Sequence, residues 1–357
     1  MKKAIIVILA IIAAMPVKAQ KFEFTEATDL TIVGKVFPDT PNPYKRMDYT
    51  KYGGWTEKDI NLLDQSSGII VSFKTDANAI QMRAIVERTG ATGIGNSGFD
   101  LYIKKDGKWC WAGAAALGKP KDEYSYCNLV KNMAPGTKEC IVYFPLRTVL
   151  TSAQVGVPEG CSLEPGEEPF KYDIALYGSS FTHGAGCTRS GNTLPGFLTR
   201  MTGCQFNSLG VSGDCMMQPQ FLNALKDVQA DAFFFDTFSN PSPQQIRGRT
   251  MDFIDTMVQT HPGVPMIFIR TIYRENRNFD TARDSLEAAK MATADSVMAI
   301  AVKRYKDVYY IKSSNAASWD NETTADGTHP SDFGYHIWAE SLYKPLVKIL
   351  RKYGIKP

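Results

Sequence analysis

Apolar positions recur with two different periods along the chain, and the change falls near residue 168. From residue 20 to about 168 the alternation is that of half-buried strands. Ile69 to Lys74 and Ile80-Gln81-Met82-Arg83-Ala84 place every second residue on one face. Leu101-Tyr102-Ile103 and Trp109-Cys110-Trp111 flank Asp106-Gly107, a pair suited to a tight hairpin because both positions tolerate positive φ. Helical periodicity is scarce here, so the pattern predicts an antiparallel β-sandwich. Residues 161–169, rich in Gly, Pro and Glu, read as a linker.

After the linker the pattern changes. Short apolar runs suited to buried parallel strands occur at Ile174 to Tyr177, Ala232 to Asp236, Pro265 to Ile269 and Val308 to Ile311. Helical segments lie between them. Ser242-Pro243-Gln244-Gln245 is a capping box with Pro at the first helical position, opening a helix to about Thr260. A second helix is expected over roughly Thr281 to Tyr305, and a last one after Ser331. Strand and helix in alternation predict a parallel sheet covered on both faces.

Composition adds the compartment. Lys2 and Lys3, the apolar run Ala4 to Met15 and the small-residue site Val17-Lys18-Ala19 have the form of a cleavable secretory leader over residues 1–19. The run is short of the ~20 residues a membrane span needs, so the expectation is an exported chain without stable membrane insertion, periplasmic or extracellular. Lys2, Lys3 and Lys18 leave with the leader. Of 40 basic residues this leaves as many as the 37 acidic ones. A surface near neutrality carries no electrostatic footprint for nucleic acid. Seven cysteines, Cys110, Cys127, Cys140, Cys161, Cys187, Cys204 and Cys215, form no Cys-x-x-Cys pair. Metal and redox-motif readings are therefore weak, and most of these residues are expected to be small buried apolar groups. An odd count leaves at least one without an intrachain partner.

One motif is a decoy. Gly93-Ile94-Gly95-Asn96-Ser97-Gly98 fits GxGxxG, but a dinucleotide site needs a helix after it, and these glycines run into the strand Asp100 to Lys104. Four other segments fall where a doubly wound sheet gathers ligands, at strand carboxyl ends or before the last helix. They are Tyr177 to Gly184, Asn207 to Asp214, Thr237 to Asn240, and Asp326-Gly327-Thr328-His329-Pro330. Together they supply what acyl transfer needs. Ser180, at a strand-to-helix turn, is a nucleophile. His329 is a base, and Asp326, three residues earlier, is its orienting carboxylate. The backbone N–H groups of Ser180 and Gly213 and the side-chain amide of Asn240 can receive an oxyanion, with Gly213 offering no side chain to obstruct approach. Each residue also has a plainer reading: Ser179 or Ser180 as a helix cap, Asn240 as a turn residue, Gly213 as a bend. His183 reads as a structural or pocket-wall residue, His261 as a helix end, His336 as a surface or packing residue, and Asp214 and Asp236 as local hydrogen-bonding groups.

In this order the four segments resemble the sequence blocks of the SGNH/GDSL hydrolases, with Gly178-Ser179-Ser180-Phe181 standing for Gly-Asp-Ser-Leu. Gly98-Phe99-Asp100-Leu101-Tyr102 resembles the GxDLY motif of a β domain that precedes the hydrolase in a bacterial subgroup. The resemblance implies a three-layer αβα, flavodoxin-like hydrolase domain over 169–357 behind a jelly-roll-like sandwich over 20–168. It implies Ser180, His329 and Asp326 as triad, Gly213 and Asn240 as oxyanion donors, and neither metal nor cofactor. Ser179 in place of Asp, and Phe238-Ser239-Asn240-Pro241 in place of Gly-x-Asn-Asp, depart from the pattern. The expected substrate is an acylated small molecule or polysaccharide, an O-acetylated glycan above all. A lipase acting on longer acyl esters, and a non-catalytic carbohydrate-binding protein that uses Trp109, Trp111, Tyr124 and Tyr126, stand as alternatives. Oligomeric state is not legible.

Overall fold

The computed structural model describes residues 20–312 and 320–357; the leader expected over 1–19 lies outside the described residues. The first half folds into two antiparallel sheets packed face to face. One has the order Phe22–Glu26, Thr148–Pro158, Ile80–Thr89, Ser125–Val130. The other has the order Leu163–Pro165, Ile70–Thr75, Lys138–Tyr143, Gly98–Lys105, Lys108–Ala116, with Thr31–Val33 also paired to Ile70–Thr75. Alternation sets the interior: Val71 and Phe73 from one sheet meet Ile80, Met82 and Ala84 from the other. The expected hairpin forms, with Asp106 at φ 50° and Gly107 at φ 76°.

Two expectations for this half need correcting. The linker is not free of structure: Leu163–Pro165 adds an edge strand against Phe73, Lys74 and Thr75. Pro165 is tolerated because an edge position needs no further N–H. The half also holds a helix, Glu57–Leu63, opened by a capping box between Thr56 and Asp59. Its Leu62 and Leu63, with Val36 and Met47, pack into the apolar cluster of the second half. The GxGxxG stretch contains one helical turn, Ile94–Ser97, and then enters the Gly98–Lys105 strand, so no helix follows it.

The second half is a five-stranded parallel sheet in the order Gln205–Gly210, Asp173–Gly178, Ala232–Asp236, Met266–Ile269, Val308–Ile311. This is the flavodoxin-like order 2-1-3-4-5. Successive side chains go to opposite faces. Ala175, Tyr177, Phe233 and Phe235 meet Phe253, Ile254 and Met257 of the Pro243–Thr260 helix and Met291 and Met298 of the Thr281–Arg304 helix. Ile174, Leu176 and Phe234 meet Leu198 of the Leu194–Thr202 helix and Trp338 and Leu342 of the Asp332–Arg351 helix. Trp338 is fully buried, and truncating such a residue costs ~3–5 kcal/mol. The Gln205–Gly210 strand had no apolar signature because Asn207 and Ser208 interrupt it; Asn207 instead donates to Asp173 Oδ1 at 2.8 Å. Among the described residues no helix is long and apolar enough to cross a membrane. All seven cysteines are unpaired thiols, four of them buried.

Candidate active site

The sheet order sends the chain to opposite sides of the Asp173–Gly178 strand, which makes its carboxyl end the switch point where open α/β sheets gather ligands. That strand runs directly into a single helical turn, Ser180–His183, closed by Gly184 in the left-handed region at φ 94°. Ser179 is the cap: its Oγ accepts from the Phe181 N–H at 3.2 Å and donates to Asp236 Oδ2 at 2.7 Å. Asp236, at the end of the adjacent strand, also accepts from the Ser179 N–H and the hydroxyls of Thr182 and Ser239. Burial pushes the Asp236 carboxyl up, and these hydrogen bonds partly offset it. Asp236 is thus the local hydrogen-bonding group expected of it.

Ser180 Oγ lies 2.9 Å from His329 Nε2, and His329 Nδ1 lies 2.8 Å from Asp326 Oδ2. The hydrogen-bond pattern assigns the tautomer: Nδ1–H donates to the carboxylate, and Nε2 accepts from the serine hydroxyl. The other oxygen, Asp326 Oδ1, accepts from the backbone N–H groups of Thr328 at 2.9 Å and His329 at 2.7 Å. Burial alone would raise the Asp326 carboxyl, but the hydrogen bonds from His329 and Thr328 outweigh it and hold the group below the usual carboxylate range. The imidazole also meets the edge of Phe181, with ring centroids 5.8 Å apart.

Loops this short need outside support, and residues the sequence reading missed provide it. Glu275 accepts from the N–H and hydroxyl of both Thr323 and Thr324, just before Asp326. Asn276 binds the Thr328 hydroxyl at 2.7 Å and the Gly327 carbonyl at 2.8 Å. The carbonyl of Ser239 accepts from both Arg274 and Lys290 at 2.8 Å, and Glu287 pairs with both cations. Nothing in the local sequence marks these residues, because their roles come from contacts across the fold.

Ser239 holds its neighbour Asn240, whose Oδ1 accepts from the Cys215 N–H at 3.3 Å, leaving the amide NH2 as its donor. Gly213 sits in a turn at φ 68°. A Cβ there would meet nothing closer than Lys58 Nζ at 3.7 Å. A positive φ of this kind favours glycine, so backbone conformation gives a reason of its own for the residue here. His183 is fully buried with Nε2 on the Leu146 carbonyl at 3.0 Å. Burial, together with nearby Arg147 and Arg46, keeps its ring well below the usual histidine range. It is structural. His261 binds the Leu225 carbonyl, and His336 packs on Phe197 beside Glu340.

The family model described as GDSL-like lipase/acylhydrolase matches residues 171–348. The model for the GxDLY N-terminus of SGNH-hydrolase-type esterases matches residues 22–163. Among curated proteins none matches the sequence. Among solved structures, a protein from Bacteroides ovatus described as a GDSL-like lipase aligns with 94% of this chain and 100% of its own, at 34% identity and TM-score 0.87. The salicylyl-acyltransferase SsfX3 of a tetracycline biosynthetic pathway aligns with 93% of this chain and 98% of its own, at 20% identity and TM-score 0.70. A family two carbohydrate esterase from Cellvibrio japonicus aligns with 93% and 99%, at 14% identity and TM-score 0.59, a likeness of fold alone. With both halves matched in chain order and a relative at 34% identity across nearly its whole length, this chain belongs to the GDSL-like lipase/acylhydrolase family, an SGNH-type esterase behind a GxDLY domain.

Proposed function

We propose that the chain is an exported serine esterase that removes O-acetyl groups from a carbohydrate. Ser180 attacks the acyl carbonyl while His329 takes its proton, and Asp326 holds the imidazole and stabilises it once charged. The oxyanion is received by the N–H of Ser180, the N–H of Gly213 and the amide of Asn240. His329 then protonates the leaving sugar oxygen, and water, activated by the same imidazole, releases acetate from the acyl-enzyme. The observation that carries this reading is the pair of contacts, 2.9 Å and 2.8 Å, running from Ser180 through His329 to Asp326.

The sugar and the short acyl group are supported by a leader-like start, balanced charge on the remainder, and a fold shared with carbohydrate esterases. Hydrolysis of p-nitrophenyl acetate by the wild type and Ser180→Ala tests the chemistry. Loss of a triad residue costs several powers of ten, so equal slow turnover by both would end the esterase reading for this serine. Comparing acetate with octanoate esters tests chain length; preference for octanoate would replace the deacetylase with a lipase. Acetate release from acetylated xylan, pectin, mannan and sialic acids identifies the glycan.

A further inference from the structure

We propose that the N-terminal β domain is part of the catalytic machinery, with Arg147 and Arg46 as positioning residues that hold the Gly210–Gly213 loop so that the Gly213 N–H faces the oxyanion. The inference rests on the reading of Gly213 as an oxyanion donor and assigns the β domain a role in it.

The loop has few bonds of its own. Val211 N–H reaches the Gly178 carbonyl at 2.8 Å, and Asp214 N–H reaches the Val211 carbonyl at 3.1 Å. Its other anchors come from the first half of the chain. The guanidinium of Arg46 is fully buried, and its donors run to three backbone carbonyls: Gln65 at 2.9 Å, Leu62, and Gly210 at 2.8 Å. Arg147 donates to Ser212 Oγ at 2.8 Å. Lys58 donates to the Gly213 carbonyl at 2.9 Å. Three of the loop's four residues, Gly210, Ser212 and Gly213, are thus each met by a cation from the β domain and its helix. Burying a guanidinium is costly unless its donors are filled, so Arg46 fixes Gly210 strongly. Gly210 in turn lies so close to the nucleophile's turn that a Cβ would fall 2.2 Å from the His183 nitrogen.

Arg147 is itself held rigidly. Its N–H bonds the Asn96 carbonyl at 3.0 Å, and its carbonyl accepts from Gly90 at 2.7 Å. The preceding Leu146 bonds the Gly95 carbonyl through its N–H and receives His183 Nε2 on its carbonyl. The glycine-rich stretch that imitates a nucleotide fingerprint therefore serves as a bracket. It fixes a segment that touches the oxyanion loop through Arg147 and the nucleophile's turn through Leu146.

The test is a double-mutant cycle on the full chain with Arg147→Met, Ser212→Ala and both together, plus Arg147→Lys. Read-outs are kcat and KM on p-nitrophenyl acetate, the inhibition constant of phenylboronic acid, whose tetrahedral adduct on a serine mimics the intermediate, and the thermal midpoint. A misplaced catalytic group costs up to ~100-fold. Arg147→Met should lower kcat by about 10-fold or more with KM little changed, and weaken the boronate by the same factor. The double variant should be no worse than Arg147→Met, and Arg147→Lys should recover part of the loss. Unchanged kcat, a loss of kcat with boronate affinity intact, or additive single losses would each overturn the inference. If Arg147→Met does not fold, Ser212→Ala decides alone by whether kcat and boronate affinity fall together. Ser180→Ala separates the two levels: full activity in that variant defeats the proposed mechanism itself, whereas its inactivity beside a fully active Arg147→Met defeats only this inference.

Discussion

Ser179 donates its hydroxyl to Asp236 Oδ2 at 2.7 Å, across two neighbouring strands of the parallel sheet. The same oxygen of Ser179 caps the turn that carries Ser180. An aspartate is the usual residue of the motif at this position, and here a carboxylate reaches the turn from the adjacent strand instead. Ser179→Ala removes both bonds and leaves the buried Asp236 one partner short. It should lower stability by ~1–3 kcal/mol, measured by urea unfolding. An unchanged unfolding midpoint would show that the serine is a neutral replacement.

Asp326 uses one oxygen for the imidazole and the other for two backbone N–H groups. Asp326→Asn keeps the shape but offers Nδ1 an amide that can also donate, favouring the wrong tautomer. In the trypsin-type triad the same exchange costs about 10⁴ in kcat, and a loss of that order with little change in KM is expected here. Steady-state kinetics on p-nitrophenyl acetate measures it. A loss below tenfold would mean that the carboxylate does not orient the base.

Glu275 predicts an acid limb of stability. Burial alone would raise its carboxyl, but the bonds from Thr323 and Thr324 prevail and lower it. Its contribution is therefore complete above the unfolded value of about 4.3 and is lost as pH falls through the lower folded value. Glu275→Gln should unfold more readily at pH 6 and lose less on acidification than the wild type. Urea midpoints between pH 3 and 6 decide the matter; parallel curves would refute it.

Asp214 predicts the opposite slope. Burial, then its bond with Asp59, pushes its carboxyl up to about 6. Between about 3.9 and 6 the folded chain holds more protons than the unfolded one, so this pair's contribution declines as pH rises through that window. In Asp214→Asn the decline should vanish. Chemical unfolding from pH 4 to 7 is the measurement, and an undiminished slope in the variant would assign it to other groups.

Much of this was legible in the sequence because it is local. The hairpin at Asp106-Gly107, the capping box at Ser242 and the apolar strands are each written in a few adjacent residues. The meeting of Ser180, His329 and Asp326 was legible in another way, through four motifs whose order matches strand ends. The Gln205–Gly210 strand was hidden because Asn207 and Ser208 break its apolar run, with Asn207 bonding Asp173 on the adjacent strand. Glu275, Arg274, Lys290, Arg46 and Arg147 were hidden for a different reason. Each acts on groups distant in sequence, Arg147 on the Ser212 hydroxyl and the others on backbone, and a carbonyl such as that of Ser239 or Gly210 has no side-chain signature to pair with.

The 2-1-3-4-5 strand order has a consequence for how such an enzyme can change. The turn bearing Ser180 stands between two neighbours, one strand delivering Gly213 and the other Asn240. Each of these segments projects beyond the sheet, so lengthening or reshaping one leaves every inter-strand register as it was. Substrate choice and reaction chemistry can therefore diverge separately on this frame. A descendant can acquire a new pocket while keeping the old attack.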